Sequence, residues 1–146
     1  YLVSDYIGLN NIWDLEKGIN QMPLMSVSEI YQWLDHGMDI GAHSKTHLNL
    51  TSLSEEEAHM EIKNCKTDLE SNFNVPVKDF CYPYGQFNNS VCDMVKDSGY
   101  LSATSMVRGR VHSKYSKFKL PRIPVTHHTL PHLFIAKILT NYEDKR

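Results

Sequence analysis

The 146-residue sequence lacks an excess of positive charge: its formal net charge is −2. Its Lys and Arg residues are scattered, with no basic stripe interleaved with aromatics, so the electrostatic footprint of a nucleic-acid binder is missing and no nucleic-acid partner is expected. It also lacks long hydrophobic runs. No apolar stretch approaches the roughly 20 residues that cross a bilayer as a helix, and the first residues do not show the basic-then-apolar order of a secretory signal. Cysteine is scarce. Cys65, Cys81 and Cys92 are odd in number, and their spacing fits neither a disulfide framework nor a Cys-x-x-Cys metal clip, so they are expected to be free and mostly buried thiols. There is no internal repeat, low-complexity tract or linker, and the length suits one domain over residues 1–146 with a substantial core.

The chain opens on Tyr1-Leu2-Val3, an apolar strand-like triplet with no polar lead-in, as though cut from a longer chain. Further along, Ser26 with Glu29 has the form of a capping box, and Ile30, Trp33 and Leu34 supply an apolar face before Gly37 ends the helix. A short buried strand is expected over Met38 to Ala42. A second capping box, Ser54 with Glu57, opens a longer helix whose Ala58, Ile62, Cys65, Leu69 and Phe73 form one stripe. Val77 to Tyr82 reads as a strand, Asn89 to Ser98 as a helix closed by Gly99, and Tyr100 to Thr104 as another strand. This alternation predicts an α/β domain with a parallel sheet, either open or closed into a barrel. In such folds chemistry gathers at the C-terminal ends of the strands, after Ala42, Tyr82 and Ile123.

Three segments occupy those positions. His43-Ser44-Lys45-Thr46-His47 places two imidazoles four residues apart, close enough on one side of a helical turn to share a divalent cation. An isolated His-x-x-x-His is more often just two polar residues of a turn; its place after a strand is what draws attention here. Phe80-Cys81-Tyr82-Pro83-Tyr84-Gly85 runs a strand into a Pro and Gly turn. By itself that is an ordinary strand end, but such a turn can aim a backbone N–H at an oxyanion while its tyrosines line a sugar site. Leu120-Pro121-Arg122-Ile123 sets Arg122 among apolar residues, where a buried guanidinium needs an anionic partner.

In this order the three segments resemble the polysaccharide deacetylases of the NodB-homology type, carbohydrate esterase family four. The family's second motif, His-Ser/Thr-x-x-His, is matched by His43, Ser44 and His47. Phe80 to Gly85 is similar to the Phe-Ala-Tyr-Pro-Tyr-Gly form of the third motif, with Cys81 where many members carry Arg, and Leu120 to Ile123 is similar to a Leu-Pro-Arg-Ile/Val strand of the same subgroup. The resemblance covers Tyr1 to about Val125. It implies a distorted (β/α) barrel of fewer than eight repeats, N-terminally incomplete here, because nothing matches the Thr-Phe-Asp-Asp-Gly motif that supplies the catalytic base and an Asp ligand.

By that resemblance His43 and His47 are two of three protein ligands to zinc, or to cobalt or nickel. Ser44 braces their loop, the backbone N–H of Tyr84 faces the oxyanion, and Tyr82, Pro83, Tyr84 and Arg122 meet substrate. The implied reaction is removal of N-acetyl or O-acetyl groups from a polysaccharide or oligosaccharide by metal-activated water. Asp5 is a conceivable substitute ligand, and His112, His127, His128 and His132 are candidates for the general acid only by exclusion. By the same resemblance, enzymes of this type are often exported to the cell envelope, so an envelope or secreted location is expected over a cytoplasmic one, although free cysteines suit a reducing interior. The rival expectation is a non-catalytic glycan-binding or scaffold domain that keeps the fold without its aspartates. A structural zinc site is a further rival, but it normally has four protein ligands, and these cysteines lie too far apart to complete one.

Overall fold

The computed structural model describes residues 1–145. Both capping boxes form. Ser26 caps α1 (Val27–Asp35), and Ser54 caps α2 (Glu55–Phe73) by accepting the Glu57 N–H while Glu57 accepts the Ser54 N–H. Each pair satisfies two of the backbone donors that a helix start leaves open. The predicted stripe is the buried face of α2: Ala58, Ile62, Cys65, Leu69 and Phe73 are all buried. The helix stops at Asn74, which takes the left-handed conformation (φ 53°) at the C-terminus. Glu70 then accepts the Val77 N–H at 2.9 Å, turning the chain back towards the sheet.

The sheet has three parallel strands in the order β1 (Asp79–Cys81), β2 (Ser102–Arg108) and β3 (Leu120–Arg122), with α3 (Asn89–Asp97) in the connection from β1 to β2. Ala42 extends the sheet, bridging Phe80 on one side and Leu2 on the other in parallel register. The bonds that set this register are Ala42 N–H to the Asp79 carbonyl (2.9 Å), Cys81 N–H to the Ala42 carbonyl (2.9 Å) and His43 N–H to the Leu2 carbonyl (2.8 Å). The segments after Ala42 and Cys81 therefore leave the sheet at the same end. Phe80, Tyr82, Val91, Val95, Tyr100 and Ala103 join the α2 stripe in one core.

Several expectations need correction. The strand expected over Met38 to Ala42 contracts to the single bridge at Ala42: the Trp33 indole donates to the Asp39 carbonyl at 2.8 Å, and Met38 is exposed. Tyr1-Leu2-Val3 likewise contributes one bridge, at Leu2. Among the described residues the strands do not close into a barrel; the α/β layer with parallel strands is what is present. A fourth helix, α4 (Pro131–Leu139), was not foreseen. Pro131 opens it, and Lys137 anchors it by donating to the Pro124 carbonyl at 2.9 Å and to the buried Glu143 carboxylate. The three cysteines are free and buried, and burial pushes the Cys65 thiol up to about 11. Among the described residues no helix is long and apolar enough to cross a membrane.

Leu69 is fully buried in the α2 stripe, so Leu69→Ala should lower unfolding free energy by about 3 kcal/mol. Leu139→Ala, at a side chain 71% exposed on α4, should change it by less than about 0.5 kcal/mol. Urea denaturation of both variants checks this, and equal effects would mean that α2 does not carry the core.

Candidate functional site

The two imidazoles meet face to edge, with ring centroids 4.7 Å apart and Nε2 atoms 3.2 Å apart. His43 owes its orientation to the sheet. It follows Ala42 directly, and its Nδ1 lies 2.6 Å from the Cys81 carbonyl at the end of β1. A carbonyl only accepts, so Nδ1 carries the proton and Nε2 presents its lone pair towards His47. Burial holds the His43 pKa down at about 4, more than the Cys81 carbonyl raises it, and the neighbouring His47 and Arg122 push the same way as burial. His43 is therefore neutral near neutral pH, as an imidazole must be to bind a metal.

His47 reaches its position through a loop that is not helical, contrary to the expected turn. Ser44 (φ 62°) and His47 (φ 63°) both adopt left-handed backbone, a conformation costly for these residue types and sustained only by its surroundings. Those surroundings are visible. The buried Ser44 hydroxyl accepts the His47 N–H at 2.9 Å. Glu61 on α2 accepts the Thr46 N–H (2.9 Å) and hydroxyl (2.7 Å), and its own carbonyl takes the Lys45 N–H. Lys45 is clamped between Asp5 (2.7 Å) and Asp68 (2.9 Å), which raises its pKa.

Aromatic rings close around His47. Trp13 stacks on it at 4.3 Å with an interplanar angle of 16°, and Tyr84 meets it edge-on at 4.8 Å. Trp13 is itself met edge-on by Tyr6. His47, Trp13 and Tyr6 border a cavity of about 300 Å³ whose lining also includes Tyr1, Met25 and His43. Tyr84 follows Pro83 with φ 55° and ψ 10°. Gly85 follows at φ 66°, and a Cβ there would stand 2.6 Å from the Met106 side chain, so the turn requires glycine.

The sequence expectations fare unequally in this geometry. His43, His47, Ser44 and Tyr84 converge. Tyr82 and Pro83 do not face the opening: both are buried, and the Tyr82 hydroxyl donates to the Phe118 carbonyl at 2.8 Å, so they are core residues that shape the turn. Arg122 is exposed rather than buried, and its Nε donates to the Ser105 carbonyl at 2.7 Å instead of to a carboxylate. Asp5 is engaged by Lys45, which argues against it as a ligand. His112 pairs with Asp144, while His127 and His128 lie against each other with their rings tilted and are exposed, as is His132. Trp13 and the Cys81 carbonyl were not foreseen. A backbone acceptor has no side-chain signature, and Trp13 lies in a loop without regular pattern.

Whether the pair fits one metal can be tested on distance. A tetrahedral zinc with Zn–N bonds of about 2.05 Å separates two ligand nitrogens by about 3.3 Å. The observed 3.2 Å matches. Among the described residues no third His, Cys, Asp or Glu joins the pair.

The family model for polysaccharide deacetylases matches residues 12–103. This chain belongs to the polysaccharide deacetylase family. A polysaccharide deacetylase from Bacillus cereus superposes with a TM-score of 0.77 at 25% identity, over 94% of this chain and 40% of that one. A Streptococcus pyogenes deacetylase solved in complex with acetate gives the same TM-score, 0.77, at 18% identity over 86% of this chain and 54% of that one. In sequence, the poly-beta-1,6-N-acetyl-D-glucosamine N-deacetylase of Staphylococcus aureus is 22% identical over 135 residues, 91% of this chain. The chain spans 47% of that protein's length.

The His43 environment predicts an acid-labile contribution to stability. Its folded pKa, about 4, lies below the ordinary 6.5, so the unfolded chain takes up the proton first. Stability should fall as pH drops from about 6.5 towards about 4, and His43→Asn should flatten that part of the profile. Denaturant melts across this range check it; an unchanged slope in the variant would assign the loss to other groups.

Proposed function

We propose that this chain is part of the catalytic domain of a metal-dependent polysaccharide deacetylase, which hydrolyses N-acetyl or O-acetyl groups on a glycan. The observation that carries the reading is the 3.2 Å approach of the His43 and His47 Nε2 atoms, the spacing of two ligands to one small cation. They would hold zinc, with cobalt or nickel as alternatives. When bound, such an ion polarises the acyl oxygen and makes water a better nucleophile near neutral pH.

The chain's own residues supply the rest. The Cys81 carbonyl fixes the His43 tautomer, so that Nε2 is the ligand nitrogen. Ser44 and Glu61 hold the His47 loop in its strained form, so little reorganisation is needed when the site fills. The Tyr84 N–H, on a left-handed turn beside His47, would donate to the oxyanion as the carbonyl carbon becomes tetrahedral, and the Tyr84 ring would form a wall against the sugar. Arg122, at the end of β3, would contact substrate further along the same edge of the sheet.

The whole of residues 1–146 would form one domain, its parallel strands belonging to a distorted (β/α) barrel. The staphylococcal relative is named for a polymeric N-acetylglucosamine substrate. A polymer of that kind suits action at the cell envelope or outside the cell.

Acetate release from an N-acetylglucosamine oligosaccharide, with zinc, cobalt or nickel supplied, tests this. Activity should be metal-dependent and fall at least about 100-fold in His43→Ala, whereas Tyr84→Phe, which keeps the backbone N–H, should change it less than about threefold. Undiminished activity in His43→Ala would remove the reading. Glycan binding without acetate release under any metal would instead support a non-catalytic domain of the same fold.

A further inference from the structure

The two histidine rings are held by different means. A hydrogen bond to the Cys81 carbonyl fixes the plane of His43. The Ser44 hydroxyl fixes the His47 main chain, but a bond to a backbone N–H does not set the rotation of the imidazole. The χ2 torsion of a histidine is intrinsically broad, so the neighbours of the ring decide its plane. Here Trp13 lies across one face of His47, with centroids 4.3 Å apart and the planes within 16° of parallel, while Tyr84 and His43 meet the ring edge-on at 4.8 and 4.7 Å. Turning His47 out of that parallel stack would drive an imidazole edge into the indole.

Trp13 is itself fixed from outside the histidine loop. It belongs to the short 3-10 helix Ile12–Lys17, which Gly18 closes in left-handed conformation (φ 69°). This helix sits in a hairpin pinned at its base by two bonds of 2.8 Å, from the Leu24 N–H to the Leu9 carbonyl and from the Gly8 N–H to the Met25 carbonyl, with an antiparallel bridge between Asn10 and Pro23. Tyr6 abuts the indole edge-on at 5.2 Å. The stack also has an electrostatic sense. The face of an indole is negative, and an imidazole that gives its lone pair to a cation becomes electron-poor, so the attraction between the two rings grows when the pair is occupied.

We propose that Trp13 is a positioning residue of the metal site. Its indole holds the His47 ring in the plane that turns Nε2 towards His43 Nε2, and it favours the occupied pair over the empty one. This rests on the reading of His43 and His47 as ligands to one cation, and it adds the hairpin of residues 8–25 to the segments that support them. Because the coupling is reciprocal, a cation on the pair would in turn hold the hairpin down.

Calorimetric zinc titration of the chain and of its Trp13→Leu and Trp13→Phe variants tests it. Leucine keeps apolar bulk and removes the aromatic face, whereas phenylalanine keeps a flat ring. Trp13→Leu should bind zinc about tenfold more weakly than the wild-type chain, and Trp13→Phe within about threefold of it. Losses of equal size in the two variants, or no loss in Trp13→Leu, would overturn the proposal and leave the histidine pair standing. If the wild-type chain takes up no zinc, the pair reading falls, and this inference with it. A second measurement leaves the indole in place and so does not depend on the folding of those variants. The chain has two tryptophans, Trp13 and Trp33, so Trp33→Phe makes Trp13 the sole indole emitter. Cobalt, whose partly filled d shell quenches a nearby indole, should lower that emission with the same midpoint as its calorimetric binding curve, and adding His43→Ala should abolish both together. Emission unchanged by bound cobalt would place Trp13 away from the cation and overturn the proposal.

Discussion

The candidate site depends on one hydrogen bond, from His43 Nδ1 to the Cys81 carbonyl at 2.6 Å. It ties the segment after Ala42 to the end of β1 and decides which imidazole nitrogen carries the proton. With Nδ1 protonated, Nε2 can only accept or ligate, and it points at His47 Nε2. The bond exists because Ala42 and Phe80 pair in parallel register, so that His43 and Cys81 leave the sheet side by side. A one-residue slip in that register would turn the His43 side chain to the opposite face and part it from the Cys81 carbonyl. Sheet register and ligand chemistry are thus one constraint seen at two scales.

Helix α2 makes the second contribution. Its buried stripe packs the core, while its polar positions Glu61 and Asp68 hold the His47 loop through Thr46 and Lys45. The left-handed backbone at Ser44 and His47 is a local cost, offset by these bonds and by the Ser44 hydroxyl. A loop held so firmly would need little further ordering on binding a cation.

Much of this was legible in the sequence because it is written in side chains. Both capping boxes, the five-residue stripe of α2, the helix from Asn89 and the pairing of His43 with His47 follow from periodicity, cap chemistry and spacing. What escaped was carried by the backbone or by tertiary context. The Cys81 carbonyl leaves no mark on residue type, and the identity of that side chain does not affect the bond it makes. Tyr82 looked like a sugar-facing aromatic because its motif faces the site, yet alternation along the strand end turns its ring into the core, where the hydroxyl finds the Phe118 carbonyl. Arg122 looked buried among apolar neighbours, but β3 ends there and its side chain emerges beside Arg108. Helix α4 was missed because its apolar residues are largely exposed, so no stripe separates an inner face from an outer one.

The central claim is that His43 and His47 bind one divalent cation through their Nε2 atoms. Calorimetric zinc titration of this chain beside His43→Ala tests it most directly. The account predicts one-to-one binding by the wild-type chain, weak because the described residues supply two ligands, and lost in the variant. Zinc binding of equal strength and stoichiometry in His43→Ala would contradict it.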